Sequence, residues 1–319
     1  MADTKQETDT KRETESTKKL SLIQVPFGLG AGRPGSEAAP ESMLQAGLLR
    51  QLRKTEFAVT SEANIEGGTD AAAPADGTRS GAAKHLPEVL ETGRRIAAEV
   101  AGAAGRGELP LVLGGDRSVT IGVLAGLAAA GKRAGVLYFD AHAGLNTEAA
   151  SPTGGVGGMA LAAALGLAKS DARDFADGLD GPAADKRRVV LIGVRDVEPE
   201  ERALIRAEGI AVFTMHEVDR MGIEAVVRRA VDIAGDGTDG IHVSFSADCL
   251  DPLEAPGVAL QVPGGLTYRE AHFACELLAE TGRVASIDVV EVNPLLDESR
   301  RTSRLAVGLI ASLLGKRIL

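Results

Sequence analysis

The sequence has no tryptophan and only 3% aromatic residues. Its interior must therefore be filled by small and branched aliphatic side chains, and the many Ala and Gly residues let helices lie close on a sheet. Cysteine is nearly absent. Cys249 and Cys275 are the only two, too far apart in sequence to read as a metal-ligand or redox pair, so a reduced, cytoplasmic compartment is expected. No apolar run approaches the ~20 residues of a membrane span, which excludes membrane insertion by a helix. The leading stretch Met1–Lys19 is polar and charged, without the apolar centre of a signal peptide, and reads as a disordered tail. Positive charge is not in excess. A net charge of −10 sets nucleic acid and anionic membranes aside as partners, because the phosphate term would be repulsive. A cationic small molecule remains compatible with it.

What the chain does have is a regular alternation of two patterns. Eight short runs, many of them rich in β-branched residues, read as buried strands: 20–25, 56–60, 109–113, 135–139, 188–192, 210–213, 241–245 and 284–290. Helical patterns lie between most of them, clearest over 37–52, 88–104, 118–130, 200–207, 223–233 and 268–280. Such alternation predicts an α/β fold with three layers, an open, mostly parallel eight-stranded sheet carrying helices on both faces. No repeat or composition break divides the chain, so residues 20–319 are expected to form one domain behind the tail of residues 1–19. The Gly/Ala/Asp-rich run 63–81 is expected to be a surface loop.

Polar residues gather just past four strand ends. The run 109–113 is followed by Gly114, Gly115, Asp116 and Arg117, and 135–139 by Asp140, Ala141 and His142. The run 241–245 is followed by Ser246, Ala247 and Asp248, and 284–290 by Glu291, Val292, Asn293 and Pro294. In a parallel sheet, ligands sit at the carboxyl ends of the strands, so these side chains are expected at one crevice. In an extended segment, Asp140 and His142 point the same way. With Asp248 they make a one-imidazole, two-carboxylate set that suits Zn²⁺, Mn²⁺ or Fe²⁺. The alternative is a capping Asp beside a buried His. Asp116 and Ser118 also suit a helix cap. Cys249 reads as core rather than nucleophile, and His216 and His242 as structural.

Taken in order, these motifs resemble the arginases, agmatinases and their relatives. Gly114-Gly115-Asp116-Arg117-Ser118 resembles the family's Gly-Gly-Asp-His-Ser. The run from Asp140 to Thr147 resembles Asp-Ala-His-x-Asp-x-Asn-Thr, and Ser244 to Pro252 resembles Ser-Phe-Asp-x-Asp-x-Leu-Asp-Pro. Gly264-Gly265-Leu266-Thr267 and Glu291-Val292-Asn293-Pro294 match outright. Val25-Pro26-Phe27, Ile192 to Pro199 and Glu217 to Arg220 are similar to the arginase branch in particular. The resemblance implies an arginase-like fold, hydrolysis of a guanidino C–N bond on a two-manganese centre, and ring-shaped homo-oligomers, trimers or hexamers.

Against that pattern, Arg117 stands where the family has its first ligand His, Gly144 where it has an Asp, and Ser246 where it has another. Asp140, His142 and Asp248 remain, and distantly related zinc deacetylases run on a similar set. The resulting expectation is an atypical family member, not a two-manganese arginase. It would hydrolyse a guanidino, amidine or amide compound with at most one divalent metal (Mn, Zn or Fe). The alternative is a catalytically silent or metal-independent homologue: a partner subunit, a binding module or a repurposed small-molecule biosynthetic enzyme. Without a metal, Arg117 and the two carboxylates would form a buried ion pair. By resemblance, Glu291 faces a substrate guanidinium, while Asn146, Thr153 and Glu198 meet the rest of the substrate. Arg117 and Ser246 are assigned to charge stabilisation and to holding water, beside Asp140.

Overall fold

The computed structural model describes residues 17–66, 83–169, 172–175 and 179–316. Most of the expected tail and most of the expected loop at 63–81 lie outside the described residues. The strands are β1 (Lys18–Gln24), β2 (Phe57–Asn64), β3 (Leu109–Leu113), β4 (Ala134–Phe139), β5 (Val189–Val194), β6 (Ala211–Thr214), β7 (Gly240–Ser246) and β8 (Val284–Val290). They form one eight-stranded sheet in the order β2-β1-β3-β8-β7-β4-β5-β6. Every pairing is parallel. The helices are α1 (Ala39–Gln45), α2 (Leu48–Leu52), α3 (Leu86–Gly105), α4 (Val119–Ala129), α5 (Ala160–Ala164), α6 (Pro199–Glu208), α7 (Met215–Met221), α8 (Ile223–Gly235), α9 (Tyr268–Glu280) and α10 (Arg301–Leu313).

Successive residues of the inner strands feed two cores. Leu111, Leu113, Leu137 and Phe139 pack on one face of the sheet. Val112, Val136 and Tyr138 pack on the other. Both faces are therefore covered, as parallel sheets require, and the expected three layers are present.

Two expectations about elements are corrected. β2 is not a uniformly buried run; its residues alternate between half-buried and exposed, and β6 is half-buried throughout. Both are edges of the sheet. The single helix expected over 37–52 is broken into a 3-10 turn, α1 and α2, because Gly47 adopts φ 97° between the last two.

The sheet order decides where chemistry can happen. β3, β8, β7 and β4 are consecutive neighbours in the centre, and they are the four strands whose carboxyl ends carry the polar motifs.

Candidate active site

Arg117 lies two residues into the turn after the Gly114-Gly115 pair. Gly115 is required there, since a Cβ at this position would lie 1.5 Å from the carbonyl oxygen of Phe27. The same oxygen accepts a hydrogen bond from the Asp116 amide at 3.0 Å. Asp116 is fully buried and accepts from the amides of Gly30 and Ser118, both at 2.8 Å. It ties the loop after β1 to the turn after β3, and burial raises its pKa.

From that turn the Arg117 side chain, 6% exposed, runs across the strand ends. Nε donates to Asp140 Oδ2 at 2.7 Å, and Nη2 donates to Asp248 Oδ2. Nη2 also lies 3.0 Å from His142 Nδ1, and Nη1 lies 3.7 Å from Glu291 Oε1. The Arg117 amide donates to that same Glu291 oxygen at 3.1 Å. The expected buried ion pair is therefore a five-residue cluster.

Each carboxylate has its other oxygen committed elsewhere. Asp140 Oδ1 accepts from the His142 amide at 2.8 Å. Asp248 Oδ1 accepts from the Ser246 hydroxyl at 2.7 Å, so Ser246 serves here as a brace for Asp248.

The electrostatics follow from this packing. Burial alone would lower the Arg117 pKa, but Asp140, Asp248 and Glu291 outweigh it and the guanidinium stays charged. Burial opposes ionisation of Asp248, and Arg117 with His142 overcomes it, leaving that carboxyl below the usual range. His142 is disfavoured as a cation by its burial, yet hydrogen bonding to Asp140 and Asp248 raises its pKa to about 10. Protonated, its Nδ1 donates to carboxylate oxygens 3.2 and 3.3 Å away; neutral, it can accept from Arg117. Glu291 is driven mainly by burial, against the pull of Arg117, up to about 7.

Asp140, His142 and Asp248 are also, among the described residues, the one group of His, Cys and acid side chains able to share a metal ion. Their ligand atoms all lie within 4.8 Å of one another. One imidazole nitrogen and two carboxylate oxygens suit Mn²⁺, Zn²⁺ or Fe²⁺, so these residues fit a divalent ion. The Arg117 guanidinium rests on the same three side chains.

The cluster opens into a cavity of about 390 Å³, within the range of small-molecule sites. Arg117, His142 and Glu291 form its floor, while Asn146, Thr153 and Glu198 stand along its walls. Asn146 Oδ1 is buried without a hydrogen-bond partner. Gly144 adopts φ 65°, and a Cβ there would lie 2.9 Å from the Tyr138 hydroxyl.

All the residues proposed from sequence thus meet at one place. His242 does not join them. It is fully buried between β7 and β8, 2.8 Å from Ser286 Oγ and 3.1 Å from Asp288 Oδ2, in the structural role expected of it. His216 lies in α7, beyond edge strand β6.

Three contributors were not foreseen. Glu201 is buried, lines the cavity and accepts from the Leu145 amide at 2.8 Å, which anchors the segment that follows His142. Arg195 donates to the carbonyls of Asp248, Cys249, Leu250 and Val262 and fixes the chain after β7. Arg33 stands on the cavity wall. The motif Glu198-Pro199-Glu200-Glu201 does carry a signal, a capping box at the start of α6, but nothing in it points to Leu145.

A model of the arginase family matches residues 18–315. Among curated relatives, the arginase of Bacillus caldovelox is 41% identical over 302 residues, covering 95% of this chain and all of that protein. The arginase of Brevibacillus brevis is 40% identical, covering 95% and 99%. The crystal structure of the Bacillus caldovelox arginase superposes with a TM-score of 0.89, covering 95% of this chain and 100% of that one. That of the Bacillus subtilis arginase gives 0.86 at 37% identity, with the same coverage.

These likenesses correct the functional expectation. The departures at Arg117, Gly144 and Ser246 suggest an atypical member that is not a two-manganese arginase, or a silent or metal-independent homologue. The relatives at 38–41% identity over 95% of this chain are arginases, as are the structures it superposes on. Three side chains are a narrow base for setting a chain apart when some 302 aligned residues place it among them.

Proposed function

Because the chain belongs to the arginase family, we propose that it hydrolyses the guanidinium C–N bond of arginine, releasing urea and the ornithine amine. The observation that carries this reading is the likeness to arginases over 95% of this chain and the full length of theirs. In this reading Asp140, His142 and Asp248 hold a divalent ion, Mn²⁺, Zn²⁺ or Fe²⁺. When bound, it makes hydroxide available from water near neutral pH.

The chain's own residues do the rest. Glu291 is buried at the cavity floor and pairs with the substrate guanidinium, whose charge favours its ionised form. The unpartnered Oδ1 of Asn146 accepts a hydrogen bond from the substrate. At the outer wall, the Thr153 hydroxyl meets the α-carboxylate and Glu198 meets the α-ammonium. Ser246 keeps Asp248 turned toward the ligand set. As the water oxygen bonds to the guanidinium carbon, a neutral tetrahedral species forms, and its O–H proton passes to the departing amine as the C–N bond breaks, while Arg117 offsets the charge of the buried carboxylates beside it. Action in the cytoplasm and assembly into ring-shaped trimers or hexamers belong to the same proposal.

The test is urea release from arginine by chelator-treated protein reloaded with each of the three ions. Turnover with at least one ion is expected, falling by about a hundredfold or more in Asp248→Asn. Absence of urea with all three ions would overturn the reading.

A further inference from the structure

Arg117 does more than sit near the ligand set. Its hydrogen bonds go to the oxygens of Asp140 and Asp248 that are left over once each carboxylate's other oxygen is engaged by the His142 amide or the Ser246 hydroxyl. It also meets His142 on Nδ1, 3.0 Å away. Both carboxylates of the group able to share an ion therefore already have a cation on them, and that cation is covalently part of the chain.

We propose that Arg117 is a built-in competitor for the metal site: its guanidinium occupies the carboxylates of Asp140 and Asp248, beside His142, until a divalent ion displaces it. This rests on the reading of those three residues as ion ligands given above.

Three features of the molecule fit a group that moves. The guanidinium reaches the cluster on a long flexible side chain whose backbone is pinned, by its own amide, to Glu291 Oε1 at 3.1 Å. It lines a cavity of about 390 Å³ into which it can turn. A second acceptor is already beside it, with Nη1 3.7 Å from Glu291 Oε1, so the displaced charge need not be left unpaired. The energetic logic is that of any intramolecular ligand. An ion in solution must outbid a tethered group whose translational freedom was lost on folding, and removing the tethered cation leaves two buried carboxylates in want of a positive partner.

The competition has a consequence for occupancy. Two states share the same carboxylates, one with the guanidinium on them and one with the ion, and their ratio follows the free concentration of the ion. Arg117 thereby sets the concentration at which the site fills.

The experiment is a calorimetric titration of Mn²⁺ into chelator-stripped full-length protein, with elemental analysis of the desalted product, for wild type and Arg117→Ala. The variant is expected to bind Mn²⁺ about tenfold more tightly or better. Guanidinium chloride at tens of millimolar, which can re-enter the space left by the side chain, should weaken binding in Arg117→Ala and leave wild type unchanged. Circular dichroism reports whether the variant folds. Should it not fold, Arg117→Lys, whose single ammonium cannot bridge both carboxylates, takes its place and is expected to bind more tightly than wild type as well.

Affinity in the folded variant equal to or below that of wild type, with or without guanidinium, overturns the proposal. Urea release, measured separately, keeps the two readings distinct. A variant that gains Mn²⁺ while no form releases urea supports the competitor and sinks the proposed activity. Equal Mn²⁺ affinity in the two proteins, with urea released by wild type, does the reverse.

Discussion

Glu291 adopts φ 66°, a conformation that costs a non-glycine residue of order 1 kcal/mol or more, and its amide donates to the carbonyl of Gly115 at 2.8 Å. The end of β8 and the turn after β3 are thus clamped to each other, with Arg117 held against Glu291 from both backbone and side chain. Gly115 is the weak link in this clamp, because a Cβ there would collide with main-chain atoms of Phe27 rather than with a movable side chain. Gly115→Ala should cost on the order of 3 kcal/mol or more in urea denaturation, and should loosen Arg117 two residues away.

Much at this scale was legible in the sequence. The motif residues after four strands pointed to one crevice, and the structure brings Arg117, Asp140, His142, Asp248 and Glu291 within reach of each other. What could not be read was direction. Arg117 was legible as a replaced ligand, but not as a donor to two carboxylates at once. Glu201 looks like an ordinary first-turn acid until α6 is placed beside Leu145.

Among the elements, edge strand β2 is attached more by polar groups than by burial. Glu108, just before β3, accepts hydrogen bonds from Thr60 at 3.0 Å and Ser61 at 2.8 Å on β2, and from Arg106 at 2.8 and 3.1 Å. The Arg106 pairing, helped by both hydroxyls, lowers the Glu108 pKa to about 2. A carboxyl held below its unfolded value stabilises the fold above that value, near 4.5. The contribution is lost as pH falls from there through the folded value. Glu108→Gln should therefore lower the melting temperature at pH 7 by about 1–2 °C. The effect is modest because Arg106 is half exposed to solvent and its charge is screened. The difference between the two proteins should shrink as pH is lowered from 4.5 toward 2. Calorimetry across that range checks it.

The strands were legible because β-branched residues buried on both faces leave a continuous apolar run. β3 and β8 match the expected bounds. At the edges the same composition is only half covered, and β2 shows the alternation that one open face produces. Helices α7 and α10 were not expected. α7 did have a readable start, the capping box of Thr214 and Glu217. α10 buries ten of its thirteen residues.

Taken whole, the described residues form two apolar cores on either side of one sheet, and no described helix is long and apolar enough to cross a membrane. The proposed ring assembly predicts a solution mass three or six times the 32.9 kDa of the chain, measurable by light scattering. A monomer at micromolar concentration would count against it. Kinship could be read from motif order alone, because motifs keep their sequence even where single ligands change. The functional consequence of those changes could not, since it depends on what each new side chain touches.

The placing of the motifs on β3, β8, β7 and β4 bears finally on tempo. Amides in the middle of a sheet become accessible to deuterium only when most of the molecule opens, whereas a wall built from the loop around Thr153 and Gly157 can breathe alone. Hydrogen exchange should therefore be slowest just beneath Asp140 and Asp248 and fastest across from them. Mutations that reshape what enters the cavity then fall on backbone that opens at little thermodynamic cost, and substrate preference can drift over generations while the charged floor stays where it is.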